Sequence, residues 1–177
     1  MNKKLKIIDL AYIGLSVAIL AICAWISIPM GAVPITLQTM GVCIVSGLFG
    51  AKRGAIAVFS YLVLGAIGVP VFANFQGGIG YLAGATGGFA IGFLLSAIII
   101  GIACKKCENK PIFIVISMVV GIVACYGFGC IWFAFVHSNG AAFGAVFATC
   151  VVPFILPDII KIAISALLVG KLKKFVK

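Results

Sequence analysis

Apolar runs of about twenty residues recur along this chain, and its basic residues are confined almost entirely to the gaps between them. About twenty apolar residues is the length an α-helix needs to cross the hydrocarbon of a bilayer, so the pattern predicts a bundle of membrane-spanning helices. Composition agrees, because 64% of the 177 residues are hydrophobic and only 9% are charged. A soluble domain of this size has no use for so much apolar surface. The first run lacks a small-residue cleavage site and reads as a retained span, not a signal peptide.

The formal net charge of +10 raises the question of nucleic acid, and the placement of the charges answers it. Lys3, Lys4, Lys6, Lys52, Arg53, Lys105, Lys106, Lys110, Lys171, Lys173, Lys174 and Lys177 sit in gaps or near the termini; Lys161 alone falls inside an apolar run. That is the positive-inside signature of a membrane protein, not a nucleic-acid footprint. Six spans are expected at about 9–28, 37–51, 54–69, 89–103, 111–135 and 154–170, forming one all-α transmembrane domain over residues 1–177. Segments after the first, third and fifth spans carry no Lys or Arg. Six transmembrane helices with cytoplasmic N- and C-termini place every basic segment on the inner side of the cell membrane.

Asp158 and Lys161 interrupt the last run, Val151-Val-Pro-Phe-Ile-Leu-Pro-Asp-Ile-Ile-Lys-Ile-Ala-Ile164. Three residues apart, they share one helix face. An ionised group at mid-bilayer costs about 2.5–3.5 kcal/mol on insertion scales, so such groups face a bundle interior, pair, and serve a function. A pair that only locks two helices together is the alternative. If a helix restarts at Pro157, where proline is tolerated, Asp158 falls in its first turn and gains from the helix dipole.

Two outer connections are unusual. Pro29 to Thr36 contains two prolines and reads as extended chain, with Gln38 and Thr39 opening the next run. Pro70 to Gly88 holds six glycines between 77 and 88, together with aromatics and the amides Asn74 and Gln76. Gly-rich backbone at membrane depth must be buried in protein or line a cavity; a flexible linker is the alternative, and the absence of charge speaks against it. With span six running inward, both connections and the Asp158–Lys161 pair converge on one outer-facing pocket. A few polar groups in an apolar, aromatic pocket describe a small-molecule site.

Other chemistries lack their residues. The acids are Asp9, Glu108 and Asp158, and the one histidine is His137. No phosphate-binding loop, paired carboxylates or Ser/His/Asp set is present, so no catalytic residue is assigned. Cys104-Lys-Lys-Cys107 has metal or redox spacing without a second pair, which leaves a zinc site short of ligands. No metal is expected. Along span one, Ala11, Gly14, Ala18 and Ala21 form a stripe of small residues that permits close helix approach. It serves either packing within this protein or docking to a separate subunit.

Val33-Pro-Ile-Thr-Leu-Gln-Thr39, Gly65-Ala-Ile-Gly-Val-Pro-Val-Phe-Ala73, Gly77-Gly-Ile-Gly-Tyr-Leu82, Thr86-Gly-Gly-Phe-Ala-Ile-Gly-Phe93 and Leu156-Pro-Asp-Ile-Ile-Lys161 resemble the BioY family across nearly the whole chain. The resemblance implies a high-affinity biotin-binding uptake subunit, the S-component of an energy-coupling factor (ECF) transporter, with no cofactor and no ATPase site of its own. A transmembrane coupling protein and two ABC ATPases would supply the energy from ATP, and the stripe on span one matches the family's coupling contact. The family's Asp and Lys on the last helix match Asp158 and Lys161. Together, residues and resemblance name Asp158, Lys161, Gln76, Gly77, Gly78, Tyr81, Thr86, Phe89, Asn74 and Gln38 as the candidate ligand-binding set. The family's Gly-Pro-Thr-Gly-Gly-Tyr stands here as Gly84-Ala-Thr-Gly-Gly-Phe89, and the arginine some members carry beside the aromatic is Ala90. Lys161 is then the cation of the expected pocket.

Overall fold

The computed structural model describes residues 7–31, 33–106, 111–136 and 143–175. Lys3, Lys4, Lys6, Cys107, Glu108, Lys110, His137 and Lys177 lie outside the described residues. The chain runs through α1 (Ile7–Trp25), the two-residue strands β1 (Ser27–Ile28) and β2 (Ile35–Thr36), then α2 (Gln38–Ala66) and the short α3 (Ile79–Ala83). It continues through α4 (Gly87–Lys106), α5 (Pro111–Val136), α6 (Phe143–Cys150) and α7 (Val152–Leu172). Five of these helices are long and apolar enough to cross a membrane.

The first helix stops at Trp25, short of the expected residue 28. Ser27 and Ile28 instead pair antiparallel with Thr36 and Ile35. The N–H of Leu37 reaches the carbonyls of Cys23 and Ile26, satisfying acceptors that a helix end leaves open.

Helix α2 covers the region of the expected spans 37–51 and 54–69, and it is not a rod. At Gly50 the backbone adopts φ 78° and ψ 176°, a conformation open essentially to glycine, and the chain folds back on itself. A β-carbon on Gly54 would lie 3.1 Å from the Ser46 backbone, although eight residues of straight helix span about 12 Å. Likewise Tyr61 hydrogen-bonds Gln38, 23 residues earlier. Residues 38–49 and 51–66 are therefore two antiparallel arms. Lys52 and Arg53 begin the second arm.

Helix α4 is the most enclosed of the long helices and packs against α2 and α5, while α1 and α7 flank α2. Small residues bring these helices close, as expected for packing in lipid: Gly92 lies against Cys125, and Ser96 Oγ donates to the Gly121 carbonyl at 2.6 Å. Leu15, Ile22, Val123, Ile131, Ile159 and Leu167 point outward, where hydrocarbon would meet them.

Two opposite ends follow. At one, Arg53 Nε donates to Asp9 Oδ1 at 2.7 Å, Gly101 abuts Ala51, and Lys173 Nζ donates to the Cys104 carbonyl at 3.0 Å. The start of α1, the Gly50 turn and the ends of α4 and α7 thus meet there. At the other end, Trp25 Nε1 donates to the Pro70 carbonyl at 2.8 Å, and Trp132 Nε1 to the Gly84 carbonyl at 3.0 Å. The Gly-rich segment is ordered at this second end: Asn74 and Phe75 take left-handed φ values of 56° and 57°, which turn the chain over α1.

Helix α7 begins at Val152 and carries Pro157 inside it. The expected restart at Pro157 is not what occurs, because Pro153 already occupies the first turn. Asp158 therefore lies nearly two turns into the helix, beyond its free N–H groups, and depends on side-chain donors.

Candidate functional site

Those donors come from three helices. Thr39 Oγ1, on the first arm of α2, donates to Asp158 Oδ1 at 2.9 Å, and Lys161 Nζ donates to the same oxygen at 2.7 Å. The Tyr126 hydroxyl, on α5, donates to Asp158 Oδ2. Asp158 and Lys161 are only 3% and 6% exposed. Burial of this kind is sustained only where partners satisfy both charges. The carboxylate has three donors. The ammonium has three protons, and Asp158 is its one hydrogen-bond acceptor among the described residues. Lys161 can still donate to a further acceptor.

The pair forms the floor of a cavity with about 530 Å³ of atom-free space, part of it at the mouth. Phe89, Phe93 and Phe154 form apolar walls, and Val33, Pro34 and Thr36 roof it from the connection between α1 and α2. Tyr81 and Thr86 bring hydroxyls from the Gly-rich segment. Burial raises the Tyr81 phenol above its ordinary pKa, with Thr86 and the Ala73 backbone opposing the shift, so it stays a neutral hydroxyl near neutral pH. Cys125, Cys150 and Ala90 complete the lining.

Of the ten expected ligand residues, Asp158, Lys161, Tyr81, Thr86, Phe89 and Gln38 reach this cavity. Gln38 arrives with both amide atoms engaged: Nε2 donates to Tyr61 at 2.7 Å, and Oε1 accepts from Thr36 at 3.1 Å. Tyr61 in turn donates to the Val71 carbonyl at 3.0 Å. Gln38 thereby ties the connection between α1 and α2 to the Gly-rich segment.

The other four do not line the cavity. Asn74 and Gln76 line a shallower depression outside it, which shares Pro34, Tyr81 and Thr86 with the cavity. Asn74 and Phe75 take left-handed φ, and Asn74 Oδ1 accepts from Ser27 Oγ at 2.8 Å. Gly77 packs against the Gly68–Val69 backbone, and the Gly78 N–H donates to the Gly65 carbonyl at 2.7 Å. Both shape the loop.

Thr39, Tyr126, Phe93 and Phe154 were outside the expected set. Thr39 had a signal, since it follows Gln38 at the start of an apolar run; Tyr126 had none, because a tyrosine in an apolar run is ordinary until a carboxylate meets it. On α1, Ala11, Gly14 and Ala18 face outward, whereas Ala21 is buried in the main core. A β-carbon on Gly14 would touch nothing within 4 Å.

The whole chain, residues 1–177, matches the model of the BioY family. It is 41% identical over 162 residues to the biotin transporter BioY of Thermotoga maritima, covering 91% of this chain and 93% of the relative. It is 35% identical over 170 residues to the probable biotin transporter BioY of Pyrococcus horikoshii, covering 96% and 98%. Among solved structures, the chain superposes with a TM-score of 0.87 and 31% identity on the S-component for biotin from an ECF-type ABC transporter, covering 98% of this chain and 95% of that one.

Proposed function

This chain belongs to the BioY family, and from that premise we propose that it is the biotin-binding S-component of an ECF-type ABC transporter. The observation that carries the reading is the Lys161 ammonium, buried on the cavity floor with proton donors to spare. Biotin offers a planar ureido group with one carbonyl acceptor and two N–H donors, a fused sulfur ring, and an acyl chain ending in a carboxylate. Lys161 donates to an acceptor of the ligand, while the remaining lone pair of Asp158 Oδ2 accepts an N–H. The phenylalanine walls hold the apolar ring and chain, and Tyr81 and Thr86 address polar atoms nearer the mouth. The amides of Asn74 and Gln76 stand where ligand enters. Gln38, Gly77 and Gly78 act by holding the two outer segments in place.

The membrane placement follows from the two ends. In this reading the two arms on either side of Gly50 each cross the membrane, so five long helices give six crossings. The end that gathers Arg53, Lys105, Lys106 and Lys173 is the cytoplasmic one, by the preference of cationic segments. The cavity then opens outward from the cell membrane, and both termini lie inside. This is a transport protein, not an enzyme. A transmembrane coupling protein and two ABC ATPases complete it, with ATP used by those subunits and no cofactor here. The exposed Ala11, Gly14 and Ala18 are the docking face, since small outward residues admit a partner helix closely.

Purification in detergent followed by mass spectrometry of what co-purifies tests the reading. Biotin is expected at near one per protein; a different small molecule in its place would redirect the assignment.

A further inference from the structure

On the side facing lipid, α5 and α7 draw apart. Val119, Val123 and Gly127 on one helix face Ile155, Ile159 and Ile162 on the other, across about 1050 Å³ of atom-free space that opens outward. These positions repeat every four residues on α5 and at four and three on α7, which is why they form opposed stripes. Both stripes lie within segments apolar enough to span a membrane, so the medium that fills the space is hydrocarbon. Gly127 opens the floor, since a β-carbon there would meet nothing within 4 Å.

Two residues, Tyr126 and Asp158, line both this groove and the ligand cavity, and they are hydrogen-bonded to each other. The ligand cavity and a hydrocarbon-facing groove are thus separated by the phenol ring of one residue and the carboxylate it holds. We infer that the groove seats one lipid acyl chain and that Tyr126 is the partition keeping that chain out of the biotin cavity. With the ring in place, the two occupants never meet. With the ring removed, the spaces join, and an acyl chain reaches Phe93 and Phe154, the same apolar walls the ligand uses. This inference rests on the biotin reading for its ligand, not for the groove.

The test is biotin titration in detergent with phosphatidylcholine added stepwise. Wild type and Tyr126→Phe, which keeps the ring, are expected to show biotin affinity independent of lipid. Tyr126→Ala is expected to bind biotin more weakly as lipid rises, by about tenfold when lipid stands at about ten times its own dissociation constant. Adding Gly127→Leu to Tyr126→Ala fills the groove and is expected to restore independence. Lipid-independent binding by folded Tyr126→Ala overturns the partition. If that variant does not fold, phosphatidylcholine bearing a photoreactive acyl chain judges wild type. Label on 119–127 and 155–162 with none on Phe93 or Phe154 is expected, and label on either phenylalanine overturns it. Wild type that binds no biotin refutes the biotin reading instead, and the photolabel still decides the partition.

Discussion

Gly65 lies so close beneath the ring of Phe72 that a β-carbon at that position would overlap it. The missing side chain is what lets Phe72 bury completely between the second arm of α2 and Tyr81. Phe72 meets Tyr61 edge-on at 5.5 Å and stacks on Tyr81 at 4.4 Å. The Gly-rich segment that covers the cavity is thereby keyed into the bundle through one glycine.

Gly65→Ala should loosen that key. Overpacking a well-filled site costs about 1–3 kcal/mol, and here the strain falls on the segment carrying Tyr81 and Thr86. Biotin should dissociate several times faster from the variant, measured by chase with unlabelled ligand. A dissociation rate equal to wild type would show that the segment does not control ligand release.

Tyr61→Phe removes one hydroxyl and strands two buried groups, Gln38 Nε2 and the Val71 carbonyl. Leaving buried polar groups unpaired costs about 1–3 kcal/mol each. Thermal unfolding should shift down clearly, and biotin binding should weaken because both outer segments lose a shared anchor. Unchanged unfolding and affinity would remove this network from the account of the roof.

Labelling of introduced cysteines checks which end faces outward. Met30→Cys and Ile79→Cys, both exposed in the connections at the cavity end, should react with an impermeant thiol reagent applied to intact cells. Lys52→Cys, beside the Gly50 turn, should stay silent. The six described native cysteines are buried, which keeps the background low. The reverse pattern contradicts the assigned orientation.

Gly14→Leu together with Ala18→Leu puts bulk on the outward face of α1 without entering the core. Co-purification with the coupling subunits should fall sharply while biotin binding by the isolated protein is retained. Assembly that survives both substitutions means the partner docks elsewhere.

Much of this was legible from residue chemistry alone, because ionisable groups are costly in lipid and stand out. Asp158 and Lys161 are found that way, as are the basic ends of the bundle. Lys52-Arg53 marks the reversal within two or three residues of Gly50, since a cationic pair must sit at a membrane surface. Other features depend on long-range approach and leave no local trace. Thr39 and Tyr126 become partners of Asp158 only when α2, α5 and α7 assemble. Asn74 and Gln76 are visibly polar, yet which way they point is set by two left-handed residues whose strain Trp25 and Ser27 hold in place. Pro157 misleads as a helix start because Pro153 takes that position and the helix absorbs the second proline.

The floor of the cavity gives the most direct measurement: calorimetric titration of biotin into Asp158→Asn and Lys161→Met. Hydrogen bonds to charged groups contribute about 1.5–3 kcal/mol, so Asp158→Asn should bind roughly ten- to a hundredfold more weakly. Lys161→Met keeps much of the apolar stem, removes the spare donor and leaves Asp158 without its counter-ion, so it should lose at least as much. Folded variants that both bind biotin with wild-type affinity would contradict the site, and would reduce the buried pair to a clasp between helices.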